Sequence, residues 1–173
     1  MFFLCNLLVI NHKSTENIPF PHLFLRFSYT ELTLTYIELT FFMKTNLKMF
    51  DDKGQIADFD GLRLAAGNRP GAWGLTAAAD GAGRMRLRWE LDDDRVVVNG
   101  DDRLMVALLY GDRLFSPVVA KGAPALRREK TAVVEVERRS SVELHLYCFF
   151  VSPGGDAFSD SQHVAVWTED GDR

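Results

Sequence analysis

The sequence predicts an all-β chain folded as a two-sheet antiparallel sandwich of about seven strands. Three observations carry this. In the C-terminal hundred residues, apolar side chains recur at every second position, the period of a strand with one buried face. The alternating runs are short and are separated by Gly, Pro, Asp and Ser clusters, as in sandwich domains. No stretch there repeats its apolar residues at helical spacing.

In chain order, "WGLTAAA" (73–79) runs into "DGAG", whose Asp-Gly pair is a hairpin signal. In "RMRLRWE" (84–90), Met85, Leu87 and Trp89 point one way and Arg84, Arg86 and Arg88 the other, as in a half-buried strand. The acidic run "DDDRVVVNGDDR" is a connection, with 96–98 packed beneath it. "LMVALLY" (104–110) is apolar on both faces and therefore central. "GD" turns it into "RLFSPVVA", where Pro117 cannot donate to a ladder and marks an edge. "TAVVEVE" (131–137) sends Ala132, Val134 and Val136 inward. "VELHLYCFFV" (142–151), the longest strand, sends Val142, Leu144, Leu146, Cys148 and Phe150 inward. "SPGGDAFSD" loops it into "SQHVAVW", the last strand.

At 173 residues the chain has material for one core. Its 47% hydrophobic and 25% charged residues are globular values, which exclude a disordered chain. A net charge of −4 gives no reason to expect nucleic acid. Cys5 and Cys148 form neither a metal spacing nor a disulfide framework. No N-glycosylation sequon occurs.

Composition changes sharply near Met43. Residues 1–42 hold no Gly, Ala or Asp but 7 of the 13 Phe, so they are set apart from everything after them. This segment is expected to be upstream DNA translated by mistake, or disordered, with the true start at Met43. Its apolar run "FFLCNLLVI" lacks a basic lead and a cleavage site, and is too short to span a bilayer. No membrane role is expected; the compartment stays open, with the cytoplasm favoured. The expected division is 1–42, a linker over 43–70 packing on the sandwich, the sandwich over 71–168, and a disordered tail over 169–173.

The order "RLRWELDDD", "LMVALLYGDR" and "VELHLYCFFVSPGGDAFSDSQHVAV" resembles a fibronectin type III or immunoglobulin-like module. The resemblance implies a core tryptophan on the second strand (Trp89), a following hairpin, and a final strand pair joined by a Gly-containing loop that ends in Ser. The same pieces, together with Arg127 or Arg128, are also similar to the C-terminal half of an uncharacterised family of Bacteroidetes proteins of about 200 residues. That likeness covers roughly 60–168. It bears on fold and implies no activity. The Gly-rich, partly helical N-terminal half usual in that family has no counterpart here, so nothing is carried over from it.

No nucleophile elbow, phosphate loop, H-E-x-x-H or C-x-x-C is present. "DSQH" places Asp160, Ser161 and His163 close together, but a triad needs a buried third group that nothing specifies; an ordinary strand edge is the preferred reading. Asp92, Asp93, Asp94, Asp101 and Asp102 could offer oxygens to Ca²⁺, yet their spacing is not that of a calcium loop, and solvated turn residues are the default. The arginine ladder of 84, 86 and 88 could grip an anion. In an acidic protein it reads better as a wet strand face pairing with acids such as Glu135 and Glu137. Cys148 reads as a small buried hydrophobe. No cofactor or metal is expected.

The face opposite that core carries the informative pattern. Met105, Leu109, His145, Tyr147, Phe149, His163 and Trp167 fall together on the outer side of one sheet. Isolated domains rarely leave so large an aromatic surface bare. Residues 43–72 are the first candidate cover, with Phe50, Phe59, Leu62 and Leu64. A second copy or another protein comes next, then a stacked sugar. If a copy covers it, Phe149→Glu should abolish a dimer without unfolding the domain. The expected function is a non-catalytic protein-interaction or structural module, associating through this outer face. A carbohydrate- or calcium-binding domain is the alternative, and a small hydrolase the last.

Overall fold

The computed structural model describes residues 44–81, 83–91, 99–114, 117–122, 125–137 and 142–166, with residues 165 and 166 given by backbone path alone, together with the backbone of 3–4. The expectations for the remainder of 1–42, for 92–94 and 96–98, and for Trp167 and 169–173 lie outside the described residues.

Two antiparallel sheets face each other. Strands β1 (Phe3–Leu4) and β2 (Ala65–Ala66) pair outside them. One sheet has the order β3-β4-β7, from β3 (Trp73–Ala79), β4 (Arg84–Glu90) and β7 (Thr131–Glu135). The other has the order β6-β5-β8-β9, from β5 (Arg103–Tyr110), β6 (Val118–Val119), β8 (Leu144–Val151) and β9 (Gln162–Val166). The all-β sandwich expected from the alternation is therefore what the chain forms. The two strands apolar on both faces, β5 and β8, are the inner pair of the larger sheet, and β6, just after Pro117, is its edge.

The core is the set of inward positions. Met85, Leu87 and Trp89 from β4 and Ala132 and Val134 from β7 meet Leu104, Val106 and Leu108 from β5 and Leu144, Leu146, Cys148 and Phe150 from β8. The Trp89 and Phe150 rings meet edge to face at 5.6 Å between centroids, a favourable aromatic geometry. On the opposite face of β4, Arg84 stands across from Glu135 in the register, and Arg86 bonds both oxygens of Asp80 at 3.0 Å. Glu137 lies 3.8 Å from Arg113 instead. The arginine ladder is thus a half-wet face with local acids.

At one end of the core sits a buried arginine, on the 3-10 turn Arg127–Glu129. The Arg127 guanidinium lies 3.8 Å over the centre of the Phe150 ring. Its Nη2 donates to Asp102 Oδ2 at 3.3 Å and to Pro70 O at 2.6 Å, and its Nη1 to Gly71 O at 3.0 Å. Trp89 Nε1 donates to the Arg127 carbonyl at 2.8 Å. Burial lowers the pKa of Arg127 and Asp102 opposes that; a guanidinium nonetheless keeps its charge. The buried cation is tolerable because a carboxylate, two carbonyls and a ring face surround it.

Removing one member of a buried ion pair leaves the other charged and desolvated. Asp102→Ala should cost about 3–5 kcal/mol in denaturant unfolding. Asp80→Ala, which breaks the half-exposed Arg86 pair, should cost less than about 1 kcal/mol.

Candidate functional site

The register of the larger sheet brings the outward residues together as the alternation predicts. Met105 stands opposite Phe149, Ala107 opposite Tyr147, and Leu109 opposite His145. On the next strand pair, Tyr147 stands opposite His163.

This face is covered by the chain itself. Residues 44–72 run across it as a strap. Met49, Phe50, Ile56, Phe59, Leu62 and Leu64 pack with Leu109 and Tyr147, while Ala65 joins Phe158 against Phe149, Met105 and Val151. Leu109, His145, Tyr147 and Phe149 are consequently buried. Of the three expected covers it is the first, the chain's own residues 43–72, that lies here, so the central members of the expected interaction face contact their own chain. Phe149→Glu would place a charge in that packing and damage the fold, so it cannot serve as a clean test of association.

Backbone hydrogen bonds hold the strap against the segment leading into β9. Ser161 Oγ accepts from Leu64 N at 2.9 Å and Ala65 N at 3.4 Å, and Ser161 N donates to Ala65 O at 2.9 Å. Asp160 Oδ1 accepts from Gly67 N at 3.0 Å, and Arg69 N donates to Phe158 O at 2.9 Å. A Cβ at Gly67 would collide with the carbonyl of Phe158, so this close approach needs glycine. Earlier in the strap, Asn46 is buried and bonds Arg63 through both amide atoms: its Oδ1 accepts from Arg63 N at 2.6 Å and its Nδ2 donates to Arg63 O at 2.9 Å.

Beneath the strap lies the one titratable cluster on this face among the described residues. His145 Nδ1 and His163 Nε2 are 2.8 Å apart. His163 Nδ1 is 2.5 Å from Asp60 Oδ1, on the strap. The Phe59 ring stacks on His145 at 3.8 Å between centroids, with planes 3° apart. Tyr147 OH donates to Phe59 O at 2.9 Å. The proton positions follow from the partners. Asp60 accepts, so His163 Nδ1 carries hydrogen and its Nε2 offers a lone pair, which His145 Nδ1–H fills. His145 Nε2 is then a buried lone pair 3.6 Å from Glu143 Oε2, with no hydrogen-bond partner among the described residues. Burial lowers the pKa of His145; Glu143 opposes this, His163 adds to it, and Asp60 opposes. Burial raises the pKa of Tyr147 well above the usual phenol, helped by Asp60 and Asp58 and opposed by Arg63.

The remaining candidates fall into structural places. Ser161 and Asp160 hold strap amides, and Ser161 Oγ does not bond His163 as a triad would require. Asp101 bonds Arg128 and Asp102 bonds Arg127, so those acids of the proposed calcium loop face arginines. No group of three metal-ligating side chains occurs among the described residues. Cys148 is buried between the sheets, and burial pushes its thiol up to about 12. Alternation had indicated the face and its two histidines, and Phe59 stood among the residues of 43–72 expected as one cover. It gave no sign of Asp60, a turn acid 103 residues from His163 in sequence, or of Arg127 as a core residue. No protein-family model, curated protein or solved structure matches the chain.

Ser161→Ala removes an acceptor shared by two strap amides and should destabilise the protein by about 1–3 kcal/mol in denaturant unfolding. Cys148 should resist alkylation at mildly alkaline pH in the native protein and react once it is denatured, as mapped by mass spectrometry of the modified peptide.

Proposed function

We propose that this chain is a non-catalytic protein-interaction or structural module of the fibronectin type III/immunoglobulin-like kind. The type is supported by the strand orders β3-β4-β7 and β6-β5-β8-β9 and by the core tryptophan of β4. The likeness to the Bacteroidetes family remains part of this reading, resting on the same core and turn positions.

One observation carries the non-catalytic reading. The polar side chains that could perform chemistry are committed to holding the strap: Ser161 and Asp160 to its amides, Arg127 to its carbonyls, and His163 to Asp60. A hydrolase would need Ser161 Oγ to present itself beside a base, and a calcium loop would need acids turned toward a shared point.

In the closed chain, a protein partner or a second copy meets the sheet edge. Val118 and Val119 of edge strand β6 are exposed, Val119 at 60%. An edge strand offers free backbone donors and acceptors for strand addition, and exposed β-branched residues favour it. Association through the outer sheet face itself requires the strap to leave.

Sedimentation velocity across a concentration series tests the edge. Dimer formation should be lost in Val119→Lys, with a Tm change within about 2 °C, because a solvated edge position contributes little to stability. A dimer of unchanged strength in Val119→Lys, or a monomer at every concentration, would count against it.

A further inference from the structure

We propose that the His145–His163–Asp60 contact is an acid-sensitive latch, and that protonating the histidine pair releases the strap from the outer face of the sheet. The consequence for a partner rests on the interaction reading above; the latch itself does not.

At 2.8 Å, the His145 Nδ1 and His163 Nε2 pair holds one hydrogen between them. A first added proton goes to His145 Nε2, which is buried beneath the stacked Phe59 ring and has no hydrogen-bond partner among the described residues. That leaves the inter-histidine bond intact but puts a cation under the strap, with the Glu143 carboxylate 3.6 Å away. A second proton can enter the pair only at His163 Nε2. Two N–H groups would then face each other across the contact, between rings 5.0 Å apart that both carry charge. No rotation of either hydrogen relieves this, so the rings must separate.

Separation acts on the strap because the latch residues are strap residues. Asp60 bonds His163, the neighbouring Phe59 covers His145, and the Phe59 carbonyl accepts from Tyr147. The charged and titratable groups around the pair come from three elements. The strap supplies Asp58, Asp60 and Arg63; β8 and its lead-in supply Glu143 and Tyr147; β9 supplies His163. Packed from β5 is the uncharged Leu109, opposite His145. The Asp60 side chain is 90% exposed while that of His163 is 5% exposed, so water reaches the latch from the carboxylate end.

The sign agrees. His145 has its pKa lowered in the folded chain, so the unfolded or strap-open state binds the proton more readily. Its contribution to closure is complete above about pH 6.5 and is lost as pH falls through the depressed folded value.

Hydrogen exchange of the full chain at about pH 7.5 and about pH 5.5, corrected for intrinsic rates, reads the latch directly. The amides of Leu64 and Ala65, which bond Ser161 across the strap contact, should lose about tenfold in protection at the lower pH, while those of β4 and β8 keep theirs. His145→Asn keeps a donor at the Nδ1 position without the titration, and His163→Gln keeps an acceptor at Nε2. Each should flatten the difference, and the second serves if the first fails to fold. Strap protection unchanged with pH, lost together with that of β4 and β8, or still pH-dependent in the folded variants would overturn the latch. Size measured at both pH values separates the two readings. Strap release with association at low pH supports both, and strap release in a chain that stays monomeric sustains the latch while failing association through the outer face.

Discussion

The Arg127–Asp102 pair is the constraint around which the other contacts are arranged. Arg127 touches four parts of the molecule at once: the Phe150 ring of β8, the Trp89 indole of β4 through its own carbonyl, Asp102 just before β5, and the strap carbonyls of Pro70 and Gly71. Both sheets and the strap are therefore indexed to a single residue. An apolar residue of similar volume could fill the space, but it could not hold two carbonyls that point into the core. Such a pair is weak evidence for stability and better evidence for register. Here it fixes where 70–72 ends and β3 begins, and with that the line along which the strap leaves the core.

From that line the strap has one path, over the outer face of the larger sheet. β5 and β8 are apolar on both faces because each has two covers, the opposing sheet on one side and the strap on the other. A two-layer sandwich needs only the first cover, and its outer positions would be polar. The strap thus makes a partial third layer, and it explains why a small domain can carry Leu109, Tyr147 and Phe149 on an outward register without exposing them. The burial of Ser161 has the same cause, since its hydroxyl supplies an acceptor that strap amides would otherwise find in water.

Much of this architecture was legible because strands announce themselves by a period of two. Met85, Leu87, Trp89, Leu146 and Phe150 could be placed inward from alternation alone, and Pro117 placed the edge. The outward apolar residues were legible as a surface needing cover, and Phe59 and Leu62 as a means of covering it. What covers the face was not decidable from the pattern, because a strap, a second copy and a sugar all demand the same aromatic residues. Arg127 and Asp102 were hidden for a different reason. Charged residues are buried too seldom for sequence to suggest it, and the partners that make it tolerable are a backbone turn and a ring far away in the chain. Asp60 was hidden likewise, as an acid in a turn whose partner histidine arrives only when the strap is laid down.

The two polar clusters differ in a way that assigns them different work. Arg127 is permanently charged and is met by a permanent partner, so its hold on the strap near residue 70 is insensitive to conditions in the neutral range. The histidine pair near residue 60 holds the same strap through a contact that an added proton disturbs. The strap is also bonded over 64–69 to Ser161, Asp160 and Phe158, so failure of the histidine contact does not detach it as a whole. It loosens from residue 60 toward its mooring at Arg127. The expected open state is therefore one in which the strap stays moored at Pro70 and Gly71, the sandwich core keeps its packing, and the surface around Leu109 and Tyr147 is the part uncovered, since that is where Phe59 and Leu62 lie.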